Sequence, residues 1–236
     1  MFPFFRRASL AAVAALALIY PAYAEGLRVS PVSLEVLAPG AATTLTLRNE
    51  GRATMTIQAR SFRWAQKDGK ETLQRSSDVV ISPPTIRLKP GSSQTVRVLR
   101  TSKAPLKAEE AYRVVINEIP DQSRAQSGTV AFATELRIPV FFVPPGARSA
   151  NVSWSLRNAG GVTTLVAQNK GDMRLRIADL KLSSGTGSVE RKGLVGYVLG
   201  GATMQWPIAK AGKISNTARV KATTNLGTLD AQVKAR

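Results

Sequence analysis

Over short stretches this chain alternates residue by residue between apolar and polar side chains, and no window of a dozen residues keeps the 3.6-residue apolar spacing of a helix. Thr43–Arg48, Thr54–Arg60, Gln94–Leu99 and Tyr112–Asn117 all have this period of two, are rich in Thr and Val, and are separated by Pro39-Gly40, Glu50-Gly51, Asp68-Gly69 and Pro90-Gly91. A period of two places successive side chains on opposite faces of a strand, and Gly and Pro mark the turns. Short strands at this spacing predict an all-β, antiparallel sandwich, with about seven strands between Leu27 and Val143. Val143-Pro-Pro-Gly146 then interrupts pairing, since proline has no N–H to donate and glycine lets the chain turn. After it the pattern resumes in Ala150–Leu156, Val162–Ala167 and Arg174–Ile177. Further strands are expected around Tyr197, Trp206 and Arg219, with turns at Ser184–Gly187 and Gly200-Gly201. The expected organisation is a leader at 1–24, a first sandwich at 25–143, a linker at 144–146 and a second sandwich at 147–236.

The leader is read from Arg6 and Arg7, an apolar run of eleven residues from Leu10 to Tyr20, and the small-x-small site Ala22-Tyr23-Ala24. Eleven residues fall short of the roughly 20 that span a bilayer as a helix. Export with cleavage after Ala24, and no integral membrane anchor, is therefore expected.

Residues that are missing narrow the chemistry. The chain has no Cys and no His. Disulfides are excluded, and zinc, copper and haem lose their usual ligands. Ser-His-Asp and Cys-His catalysis is excluded as well. Glu109-Glu110 comes without a surrounding catalytic motif and reads as a solvated charged loop. The expectation is a protein that is not an enzyme and holds no cofactor or metal. A net charge of +18 could draw nucleic acid, an anionic surface or an acidic partner. The export signal and the lack of Lys/Arg blocks longer than two argue against nucleic acid. Spacings such as Arg97-Val-Leu-Arg100 and Arg174-Leu-Arg176 place the charges on the wet faces of strands.

The longest alternating run, Val130 to Val143, exceeds the usual strand of about 5–6 residues. Val130, Phe132, Thr134, Leu136, Ile138, Val140 and Phe142 share one face. Pro139, without an N–H, suits an edge strand. A long apolar edge is an aggregation liability unless a partner covers it. Periodicity alone leaves two outcomes open: the face packs into the chain's own core, or it is given to a partner.

Three segments, Ile81–Val98, Tyr112–Pro120 and Ile138–Phe141, occur in the order seen in periplasmic pilus-assembly chaperones, and the chain resembles that family. Asn49-Glu-Gly-Arg52 followed by Phe62-Arg-Trp64 is similar to its archaic branch, which serves spore-coat-protein-U-like pili. The resemblance implies two immunoglobulin-like sandwiches in a boomerang, in the periplasm. It implies a chaperone that caps pilin subunits by donor-strand complementation, the addition of a strand to an incomplete sheet, and passes them to an outer-membrane usher. Self-association of the free chaperone is left open. On this reading Val130, Phe132, Thr134 and Leu136 are the donor side chains. The family also needs a cleft cation for the subunit's terminal carboxylate. The better-known branch uses an Arg in the first strand and a Lys in the last strand of the first domain. Here the first strand, Leu27–Leu34, has no Arg at the matching place, and the Lys position falls on Pro139. The archaic pattern places the cation at Arg113, after Tyr112, with Arg28 and Arg137 in reserve. The alternative from another class is an exported structural or adhesive protein built of two sandwiches.

Overall fold

The computed structural model describes residues 26–120 and 134–235. The expected leader and two of the expected donor residues, Val130 and Phe132, lie outside the described residues. Seventeen strands occur in the described residues: β1 (Leu27–Ser30), β2 (Leu34–Leu37), β3 (Ala42–Asn49), β4 (Met55–Lys67), β5 (Lys70–Arg75), β6 (Val79–Ser82), β7 (Thr85–Leu88), β8 (Ser93–Arg100), β9 (Glu110–Ile119), β10 (Glu135–Val143), β11 (Val152–Ala159), β12 (Val162–Asn169), β13 (Leu175–Ser184), β14 (Gly187–Val198), β15 (Thr203–Lys210), β16 (Thr217–Thr224) and β17 (Gly227–Lys234).

They form two sandwiches. In the first, a back sheet in the order β1-β3-β8-β6 faces a front sheet in the order β2-β10-β9-β4-β5, with β7 also paired to β4. In the second, β11-β12-β15 faces β14-β13-β16-β17. Alternation decides which side chains go in. In β3, Leu45 and Leu47 are buried while Thr44 and Thr46 point out. Val96 and Val98 of β8 and Tyr112, Val114 and Ile116 of β9 complete the same core. Phe142 of β10 closes it edge-on against Tyr112, with ring centroids 5.8 Å apart, and burying such a side chain contributes roughly 1.5–3 kcal/mol. The second core gathers Leu156, Leu165, Ile177, Leu182, Trp206 and Val220.

The ten strands of the first sandwich exceed the seven expected. The expected first strand, Leu27–Leu34, is two. Pro31 cannot donate to a ladder, and the chain leaves the back sheet after Ser30 and joins the front sheet at Leu34. The strand expected at Thr54–Arg60 continues to Lys67 and turns back at Asp68-Gly69, where φ is 54° and 75°. Two successive positive φ angles are those of the tight hairpin turn that Asp-Gly favours.

Each sandwich uses a buried Asn at the end of a strand to close the next turn. Asn49 Nδ2 donates to Ala53 O at 2.8 Å and Leu88 O at 3.0 Å, and its Oδ1 accepts from the Gly51 N–H. Asn169 repeats this with Met173 O, Val198 O and the Gly171 N–H. A buried amide is tolerated because its donors and acceptor are used.

Candidate functional site

The outer face of the front sheet carries the candidate site, because β4, β9 and β10 each turn alternate residues away from the core. Register places Phe62 of β4, Arg113 of β9 and Pro139 of β10 in one row. The next row holds Trp64, Ala111 and Phe141, with Glu35 of β2 opposite Phe141. Against this face the second sandwich sets Tyr197, Leu199 and Ala202, forming a third apolar cluster that joins the two sandwiches. Trp64 meets Tyr197 edge-on at 5.3 Å and Phe141 at 5.9 Å.

Polar contacts also cross between the sandwiches. Gln66 Nε2 donates to Tyr197 O, and Gln66 Oε1 accepts from the Leu199 N–H, both at 2.9 Å. The hairpin tip at Gly69 bridges to Met204 of β15. Arg174 of the second sandwich forms ion pairs with Glu109 and Glu35 of the first. Its backbone N–H donates to Glu109 Oε1 at 3.0 Å.

Two guanidiniums lie on the aromatic cluster, and they differ in how fully they are compensated. Arg174 is stacked 3.7 Å from the Phe141 centroid, is 11 % exposed, and has its charge matched by two carboxylates. Arg113 is stacked 3.6 Å from the Trp64 centroid and is 12 % exposed. Among the described residues its nearest acid, Glu71 of β5, is 3.8 Å away, and Nη1 reaches Arg137 O at 3.5 Å. Burial pushes the Arg113 pKa below the usual arginine value, with Glu71 opposing it. Beneath it, the buried Trp64 Nε1–H has no hydrogen-bond partner among the described residues. Among the described residues, Arg113 has one carboxylate, at 3.8 Å, where Arg174 has two.

Among the other residues singled out from sequence, Thr134 is exposed, and its carbonyl accepts from the Glu118 N–H at 2.9 Å. Leu136 is half-buried against the first core, while Ile138, Val140 and Phe142 belong fully to that core. The two outcomes left open by periodicity therefore divide along the described part of the strand. Pro139 is at an edge on one side of a boundary: β2 pairs with β10 from Val140 to Val143, so β10 is interior there. From Glu135 to Pro139, among the described residues, β10 has β9 on one side and no strand on the other.

Arg28 lies on the back sheet, exposed and paired with Glu50 at 3.2 Å, away from the cleft. Arg137 is exposed and paired with Glu135 at 2.7 Å.

Two expectations are corrected. Glu109-Glu110 is not a solvated loop. The Glu109 side chain is 1 % exposed beside Arg174, and its pKa is raised because burial outweighs that cation. Glu110 is held by Arg100 at 2.9 Å and accepts from the Tyr112 hydroxyl at 2.9 Å. Nor do Arg100 and Arg174 lie on wet faces. Both are largely buried because a carboxylate meets each, Glu110 of the next strand at Arg100 and Glu109 of the other sandwich at Arg174, while Arg97 and Arg176 are exposed as expected. Arg174, Gln66 and Tyr197 escaped the sequence reading because nothing beside them in the chain marks a contact with the other sandwich.

No helix among the described residues is long and apolar enough to cross a membrane. No curated protein matches the chain. Among solved structures it is similar to a chain of the chaperone–tip adhesion subunit pre-assembly complex CsuC–CsuE, from the archaic chaperone-usher Csu pili of Acinetobacter baumannii. That match has 23 % identity and a TM-score of 0.71, and covers 89 % of this chain and 99 % of that one. It is also similar to the E. coli chaperone DraB, at 20 % identity, TM-score 0.59, and coverage of 88 % and 98 %. A chain of the Salmonella enterica SafA pilin–SafB chaperone complex matches at 15 % identity, TM-score 0.62, and coverage of 88 % and 96 %. The model of the pili and flagellar-assembly chaperone PapD N-terminal domain matches residues 26–148. Since that match takes in more than half of the sequence, the chain belongs to the pili and flagellar-assembly chaperone family.

Proposed function

We propose that the chain is a non-enzymatic periplasmic chaperone of the archaic type, which caps pilin subunits by lending them the strand that leads into β10 and delivers them to an outer-membrane usher. The linker at 144–146 divides the two sandwiches that hold the subunit between them. The observation that carries this reading is that the free edge of β10 and the under-compensated cation meet in one row. A partner strand added along Glu135–Pro139 runs into the start of β2, because Leu34 occupies the place opposite Val140. It must therefore end beside Pro139, the cross-strand neighbour of Arg113. Strands lie roughly 4.8 Å apart, and the Arg113 guanidinium already reaches over β10 to the Arg137 carbonyl. A compact proline at 139 leaves that path clear. A strand ending there presents its terminal carboxylate to Arg113, which requires it to run parallel to β10. Val130, Phe132, Thr134 and Leu136 are the side chains that enter the subunit groove.

Two substitutions test the reading by co-purification with the cognate pilin. Arg113→Ala is expected to fold but to lose capture, since truncating one partner of a buried charge pair costs roughly 2–5 kcal/mol. Phe132→Asp is expected to fold and to lose capture too, because an unpaired charge does not enter a dry groove. Full capture by either folded variant refutes the corresponding assignment.

A further inference from the structure

Resting on the carboxylate-anchor reading of Arg113, we propose that Glu71 is a resident stand-in for the subunit's terminal carboxylate, holding the Arg113 guanidinium in place in the free chaperone and competing with the subunit for it. Among the described residues, the surrounding acids leave Glu71 as the counter-charge. Glu35 and Glu109 are taken by Arg174, and Glu135 by Arg137 and Asn117. Glu71 lies on β5, at the edge of the front sheet, opposite Gln66. Its Oε2 stands 3.8 Å from Arg113 Nη2, beyond hydrogen-bond length, and the side chain is 41 % exposed.

Such a contact is suited to exchange. Glu71 regains water on release at little cost, whereas the incoming carboxylate can accept two parallel, charge-assisted bonds from the guanidinium fork. The exchange also matches the burial of Arg113, whose charged form is disfavoured without a close anion. Glu71 keeps the cation compensated and stacked on Trp64 until a better acceptor arrives. Removing its charge should therefore tighten carboxylate binding, whereas a Glu71 that merely helped to build the site would weaken binding on losing its charge.

The test uses acetate as the carboxylate probe on the full-length exported chain, titrated against chloride at equal ionic strength. The readout is the Nε–H nuclear magnetic resonance signal of Arg113, identified by its absence in Arg113→Lys. In Glu71→Gln the signal is expected to saturate at an acetate concentration about two- to fivefold lower than in the wild type, the range for one half-exposed ion pair. Glu71→Asp, which draws the charge back, should fall between them. Equal saturation in wild type and Glu71→Gln overturns the competition and leaves the anchor reading standing. Weaker binding in Glu71→Gln overturns it in favour of a site-building role. No acetate-specific shift in either protein brings down the anchor reading along with it.

Discussion

Arg174→Ala is the most informative perturbation of the contact between the sandwiches. It removes the cation stacked on Phe141 and leaves Glu109, 1 % exposed, without its counter-charge. Glu35 is half exposed and rehydrates at little cost, so the penalty belongs to Glu109. Breaking a buried pair by removing one partner costs about 3–5 kcal/mol. The Glu109 carboxylate keeps the backbone N–H of residue 174 at 3.0 Å, which argues for the lower half of that range. With a urea m-value of about 2 kcal/mol/M, the first unfolding midpoint should fall by about 1.5–2 M.

The pH dependence gives an independent check. Burial already raises the Glu109 pKa, and Arg174 opposes it; without Arg174 the folded-state pKa rises further. A folded pKa above the unfolded one contributes stability that is present at low pH and lost as pH rises through the folded value. The variant should therefore recover part of its loss between pH 7.5 and pH 5.5. Arg174→Met combined with Glu109→Gln should restore most of the stability, because an apolar and neutral pair leaves no buried charge. Urea unfolding followed by tryptophan fluorescence decides the matter. A pH-independent loss below about 1 kcal/mol, with no rescue by the double variant, refutes the assignment of Glu109 as a buried, Arg174-dependent carboxylate.

Gln66→Ala removes both hydrogen bonds to the 197–199 backbone and is expected to cost about 1–3 kcal/mol, with a larger radius of gyration by small-angle scattering. Burial, followed by the neighbouring Glu110, pushes the Tyr112 hydroxyl up to about 12. Its stabilising contribution is present below pH 10 and lost as pH rises through 12, and Tyr112→Phe should flatten the alkaline limb of a stability–pH curve. Phe142→Ala should cost about 3–5 kcal/mol. Leu136→Ala, at a half-buried position, should cost under about 2 kcal/mol yet weaken pilin capture, as unfolding and co-purification measured side by side will show.

The all-β class, the two sandwiches and most strands were legible in the sequence because strand alternation is local. Thr43–Arg48 states its own inward and outward faces, and Pro-Gly and Asp-Gly state their own turns. The resemblance to pilus-assembly chaperones was legible for the same reason, in Ile81–Val98 and Tyr112–Pro120. Alternation could also show that Arg113 points away from the core of β9, but not what lies beyond that face. Glu35 and Arg174 are 139 residues apart, and Gln66 is 131 residues from Tyr197. Folding therefore decided which charges became buried pairs and which guanidinium met two carboxylates rather than one. It also decided where β10 stops being an edge, through the arrival of β2 from the far side of Pro31. A side chain's face is determined by its own backbone, whereas its compensation and solvent exposure depend on whatever distant chain packs over it.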